Sequence, residues 1–125
     1  MSLISPLNRV LGLGTGRGAT EHWWAQRLTA VALVPLGLWF AFSMLRFESF
    51  DYASVASWLQ QPVSAILLII MTLALIHHSF LGVQVVVEDY VHAKALKILL
   101  LLASTFAHFA GAIAGVFSIL KVAFG

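Results

Sequence analysis

The chain has 125 residues, 61% hydrophobic and 10% charged, with a formal net charge of +2 and a mean hydropathy of +0.97. A soluble domain carries roughly 25% charged residues, so this composition excludes an ordinary water-soluble fold and points to a membrane protein. Cysteine is absent, which excludes disulfides, thiolate zinc sites and iron–sulfur ligation by this chain and leaves His or carboxylate to hold any metal. The few basic residues are scattered, so nucleic acid is not an expected partner.

In chain order, residues 1–22 (MSLISPLNRVLGLGTGRGATEH) are expected to form a cytoplasmic N-terminal arm. Glycines at 12, 14, 16 and 18 resemble a nucleotide loop only superficially, because no strand precedes them and their spacing differs. The apolar patch at 10–13 is too short for a signal-peptide core and is broken by glycine.

The first long apolar run covers residues 23–45 and contains Pro35, a candidate kink. Residues 46–62 (RFESFDYASVASWLQQP) mix carboxylates with Tyr52 and Trp58, as at a membrane surface, and end in a proline suited to a helix start. A second run covers 63–87, a short connection reads EDYVHAK, and a third run covers 96–120. Each run meets the ~20 residues a helix needs to cross ~30 Å of hydrocarbon. Backbone groups at that depth must be satisfied internally, and the runs lack the alternation of a barrel strand. The expected fold is therefore all-α: one integral membrane domain, 1–125, with three transmembrane helices packed in a bundle.

Charge sets the expected orientation. Arg9, Arg17, Arg27, Lys94 and Lys97 fall on one side, and only Arg46 and Lys121 on the other. The positive-inside rule places the N-terminus and the EDYVHAK connection in the cytoplasm and the C-terminus outside.

The second run ends LIHHSFLGVQVVVEDYVH, with adjacent histidines in an apolar context. At ~100° per residue, His78, Gly82, Val85 and Asp89 share one helix stripe, and His77, Gln84 and Glu88 share its neighbour. Intramembrane imidazole is costly and marks a cofactor, an ion path or a satisfied interhelical contact. For His78 two readings stand: a neutral imidazole hydrogen-bonded to a neighbouring helix, or an axial ligand of haem iron. Gly82, one turn away, removes a side chain where a flat porphyrin needs room. His77 points about 100° away from His78, so both cannot serve one iron, and a polar contact at a helix interface is its expected role. His108, in FAHFAGAIAG, is a candidate second ligand, but its small neighbours Ala107, Gly111 and Gly115 favour helix packing.

Glu88, Asp89 and Tyr90 sit where the second helix leaves the membrane. They read either as ordinary interface residues or as a headgroup-level pocket in which a phenol donates to a carbonyl and a carboxylate positions it or relays protons, chemistry that suits a quinone. In HWWAQR, Trp23 and Trp24 anchor the first helix, while Arg27, slightly deeper, is placed to pair with an anion.

Together, HWWAQRLTA at the first helix and H-x-x-x-G followed by DYVH at the end of the second resemble the smaller hydrophobic membrane anchor of bacterial succinate dehydrogenase (complex II). The likeness covers nearly the whole chain. It implies that His78 ligates haem b, with the other axial ligand supplied by the larger, cytochrome b anchor that partners it. By the same likeness Tyr90 hydrogen-bonds a ubiquinone carbonyl beside Asp89, and Arg27 lies near the haem propionates and the quinone. The implied assembly adds a flavoprotein and an iron–sulfur protein in a respiratory complex of the bacterial inner membrane, in which this chain is not catalytic alone. An anchor working in the fumarate-reducing direction or with menaquinone fits the same residues. A small transporter or structural membrane protein is the rival of a different class.

Overall fold

The computed structural model describes residues 15–125, so positions 1–14 of the expected arm lie outside the described residues. Four helices follow in order: α1 (Thr15–Leu45), α2 (Tyr52–Leu59), α3 (Pro62–Tyr90) and α4 (Lys94–Ala123). Three of them are long and apolar enough to span a membrane. With 31, 29 and 30 residues, each reaches about 45 Å at 1.5 Å per residue, well beyond the ~30 Å of hydrocarbon. Their ends therefore project into the headgroup layer, which explains why each helix outruns the apolar run that announced it. α1 begins at Thr15, α3 continues through Asp89 to Tyr90, and α1 carries Pro35 without interruption.

The three spans lie in a row. α3 packs against both α1 and α4, whereas the backbones of α1 and α4 do not approach each other among the described residues. Only six apolar residues and Ser64 are buried among the described residues, and no large side chain is fully enclosed. A row of helices leaves two broad apolar faces for lipid or other helices, seen in exposed Leu28, Val31, Phe106 and Phe117. Hydroxyls within the spans bond back to the preceding turn, as Thr72 Oγ1 does to Leu68 O at 2.7 Å and Ser118 Oγ to Ala114 O at 2.7 Å. In hydrocarbon that local acceptor replaces water.

The small residues of α4 divide. A Cβ added at Gly115 would stand 3.0 Å from Thr72 Cγ2, and Thr72 is held in its rotamer by its own hydrogen bond, so α3 and α4 approach closely there. Gly111 meets nothing within 4 Å, and Ala107 is exposed. The expected small-residue packing face is realised at Gly115 alone.

At the opposite end from the histidines, α2 lies against α3 and α4. Leu59, Ala65 and Ile119 form a small core there, flanked by Val55, Trp58 and Leu68. Trp58 stacks on Trp39 of α1 at 5.7 Å between ring centroids and meets Phe47 edge-on at 5.8 Å. These rings form the interfacial aromatic layer expected of residues 46–62. Apolar periodicity marks that stretch only as a connection, and α2 within it is an addition. Asp51 supplies its start signal: Oδ1 accepts from Ser54 N–H at 2.8 Å, an N-cap, and Oδ2 accepts from Ser49 Oγ at 2.9 Å. The Ser54 amide, followed by the Ser49 and Ser54 hydroxyls, holds the Asp51 carboxyl below the usual carboxylate range.

Two outcomes follow from this packing. Gly115→Val should cost about 1–3 kcal/mol in helix association by overpacking against Thr72, whereas Gly111→Ala should stabilise by up to about 1 kcal/mol through helix propensity. Thermal scans of helicity in detergent compare the two. Because the Asp51 pKa is depressed on folding, its cap is fully present above the unfolded-state pKa and is lost as pH falls through the lower folded value. Amide exchange at Ser54 should rise over that acidic window in the parent chain, rise at neutral pH in Asp51→Ala, and stay protected in Asp51→Asn.

Candidate functional site

The seam between α1 and α3 collects polar residues toward the start of α1 and the end of α3. His22, Gln26 and Thr29 recur at four and three positions along α1, and His78, Gly82 and Val85 do the same along α3, so each set forms one stripe. The helices run antiparallel with the stripes facing. Thr29 Oγ1 lies 3.0 Å from His78 Nδ1, and a Cβ at Gly82 would have Gln26 Nε2 as its nearest neighbour, at 3.9 Å. Further toward the helix ends, Gly18, His22, Trp23 and Gln26 of α1 face Gln84, Val85 and Glu88 of α3 across a cleft of about 650 Å³. Gln84 Nε2 donates to Glu88 Oε1 at 3.0 Å, an i, i+4 pair along the rim.

His78 is half-buried, and its Nδ1 is engaged by Thr29. Among the described residues no group reaches its Nε2, and that atom is not sealed from the surface. A Cβ at Gly82 would meet only Gln26 Nε2, at ordinary contact distance, so nothing in the packing of the described residues itself demands a glycine there. His22 Nε2 is a buried ring nitrogen with no hydrogen-bond partner among the described residues, a polar atom whose satisfaction calls for an explanation. These three features are compatible with a flat, iron-bearing macrocycle held by imidazole. No group of three or more metal-ligating side chains occurs among the described residues, so this chain offers an iron single ligands, not a closed cage.

The other histidines separate cleanly. His108 Nδ1 lies 2.8 Å from the Ser104 carbonyl, which only accepts, so Nδ1 carries the proton and Nε2 accepts from Ser79 Oγ at 3.2 Å. Both ring nitrogens are committed, and the Phe80 ring meets the imidazole edge-on at 5.6 Å. His108 is thus a pin between α3 and α4, in line with the packing reading of its neighbours. His77 is exposed and turns to that other seam, where it lines a shallow cleft of about 240 Å³ with Phe80 and His108.

Among the described residues no hydrogen bond joins Arg27 to Asp89 or Tyr90, the remaining residues singled out from sequence. Arg27 is exposed, with its guanidinium over the Trp23 ring at 5.3 Å to the centroid. Asp89 and Tyr90 occupy the last turn of α3, and Tyr90 is 78% exposed. Lys97 closes that end by donating from Nζ to Glu88 O at 2.9 Å, satisfying one of the carbonyls that a helix C-terminus leaves free. Arg27, Asp89 and Tyr90 are all exposed, so each is open to groups outside this chain. Sequence reasoning passed over His22, Gln26 and Thr29. Their signal was the four-and-three spacing opposite the His78 stripe.

Comparison with known proteins places the chain. Residues 1–117 match the family described as succinate dehydrogenase/fumarate reductase transmembrane subunit. The chain is 33% identical over 90 residues to a succinate dehydrogenase hydrophobic membrane anchor subunit of Rickettsia bellii, covering 72% of each chain. It is 28% identical over 85 residues to the protein of the same name from Rickettsia conorii, covering 67% of this chain and 68% of that one. The corresponding protein of Paracoccus denitrificans is 26% identical over 90 residues, 72% of this chain and 70% of that one. No solved structure gives a significant match. The chain belongs to the succinate dehydrogenase/fumarate reductase transmembrane subunit family, as the HWWAQR, H-x-x-x-G and DYVH motifs implied.

Proposed function

We propose that this chain is the hydrophobic membrane anchor of a succinate:quinone oxidoreductase, docking the flavoprotein and iron–sulfur subunits beside a partner cytochrome b anchor in a bacterial inner membrane. Family membership supports the anchor role. The N-terminus and the α3–α4 turn face the cytoplasm and the C-terminus the periplasm, an orientation supported by five of seven Lys and Arg at that side.

In this reading the His78 imidazole would hold the iron of haem b, together with a ligand from the partner anchor. The observation that carries it is His78 itself: one ring nitrogen tied to α1, the other without a partner among the described residues, and one turn away a glycine that the chain's own packing does not require. When bound, the haem supplies a one-electron store within the membrane. Arg27 faces outward at the same end as a fixed cation for a propionate or for the quinone head. Tyr90 donates its phenol proton in a hydrogen bond to a ubiquinone carbonyl, and Asp89 positions that head or passes a proton to it. Their place on the last turn of α3, at the edge of the hydrocarbon, suits a substrate whose tail stays in lipid while its head needs donors. An outward-facing Tyr90 is one wall of a site that other subunits complete.

Two experiments test the reading. In a complex purified through this chain, the reduced-minus-oxidised spectrum should contain a b-type signal that His78→Ala abolishes or shifts and His77→Ala preserves. A signal that survives His78→Ala, or none in the native complex, would remove the haem assignment. Tyr90→Phe should retain the haem signal and lower ubiquinone reduction roughly 10-fold, the equivalent of one lost hydrogen bond of about 1–1.5 kcal/mol. Unchanged turnover would remove Tyr90 from the site.

A further inference from the structure

The hydroxyl of Thr29 has one proton and two lone pairs, and three groups compete for it. Ala25 O, Gln26 O and His78 Nδ1 all lie 3.0 Å from Oγ1. The two carbonyls can only accept. If the proton points to either of them, a lone pair of Oγ1 faces His78 and Nδ1 must carry a proton, which gives two hydrogen bonds in series. If the proton points to Nδ1, one hydrogen bond remains and the oxygen lone pairs face two carbonyl oxygens at 3.0 Å. In a medium without water to relieve it, that oxygen-to-oxygen approach is unfavourable.

The geometry points to Thr29 as a positioning residue that locks His78 in the Nδ1–H tautomer and leaves the Nε2 lone pair as its only ligating site. This rests on the haem reading of His78 and extends it to a residue on a different helix. The same arrangement is how metal-bound imidazoles are oriented in general: the nitrogen away from the metal donates to a fixed acceptor, which sets ring angle and ligand basicity. Here the acceptor is itself fixed, because Thr29 is tied into the α1 backbone. Its β-branch further restricts the rotamer. His108 shows the contrasting case on α4, where both nitrogens are taken and none is left for a ligand.

The test uses the whole complex purified through this chain, in native form and with Thr29→Val, Thr29→Ala, Thr29→Ser and His78→Ala, each expressed under limiting haem. Haem per flavin, the midpoint potential of the haem and the amounts of all subunits are measured on each. Valine and alanine should retain the subunits, hold haem roughly 10- to 100-fold more weakly and shift the potential, while serine restores both. Native-like haem retention and potential in an assembled valine or alanine variant would overturn the proposal. Loss shared equally by serine would overturn it, since the hydroxyl would then not be what matters. Failure of both apolar variants to assemble beside a normal serine variant would also overturn it, assigning the hydroxyl to helix association. A native complex without haem, or a His78→Ala complex with an unchanged haem, overturns the underlying haem reading, and the native and His78→Ala controls identify that case separately.

Discussion

The hydrogen bond between Thr29 and His78 is the constraint on which the histidine-bearing half of this molecule depends. It joins α1 to α3 at 3.0 Å, in a layer where no water can substitute for either partner. Once those two residues are opposed, helix geometry sets the rest of the seam. Gln26 comes opposite Gly82, and His22 comes to the cleft with Gln84 and Glu88. An imidazole that would be a burden on an isolated helix becomes a fixed point, with one nitrogen spent on the fold and the other left over.

The row arrangement gives that leftover nitrogen its setting. α3 is the middle helix, so its His78 face meets α1 and its His77 face turns to α4. Two adjacent residues thereby belong to different seams, and only one belongs to the stripe of Gly82. A row of three spans with almost nothing enclosed gains little from its own burial. Its open apolar faces are left for lipid or for further helices, which accords with membership of a family of transmembrane subunits. The last turn of α3, pinned by Lys97, then carries Asp89 and Tyr90 out of the hydrocarbon as a finished edge.

Much of this was legible in the sequence because the membrane reduces the choices. Length and apolarity alone located three spans, and the spacing of His78, Gly82 and Asp89 identified a stripe. What escaped was of two kinds. Helix ends were read at the limits of the apolar runs, although the backbone goes on hydrogen-bonding through polar turns such as Thr15 to Glu21 and Glu88 to Tyr90. Partners across helices were also missed, because periodicity shows which residues share a face and is silent on what the face meets. Thr29 went unremarked within HWWAQRLTA, and Asp51 stood only among the carboxylates of residues 46–62, whereas its N-cap bond to Ser54 starts α2. The small-residue motif in α4 shows the reverse error: Ala107, Gly111 and Gly115 share a pattern, yet Gly115 alone makes the close approach.

The most direct test is a high-resolution structure of the complete complex isolated through this chain. The account predicts haem iron bonded to His78 Nε2, with Nδ1 still within hydrogen-bond distance of Thr29 Oγ1. Iron held by His77 or His108, a bond through His78 Nδ1 with Thr29 displaced, or no haem at the α1–α3 seam would contradict it.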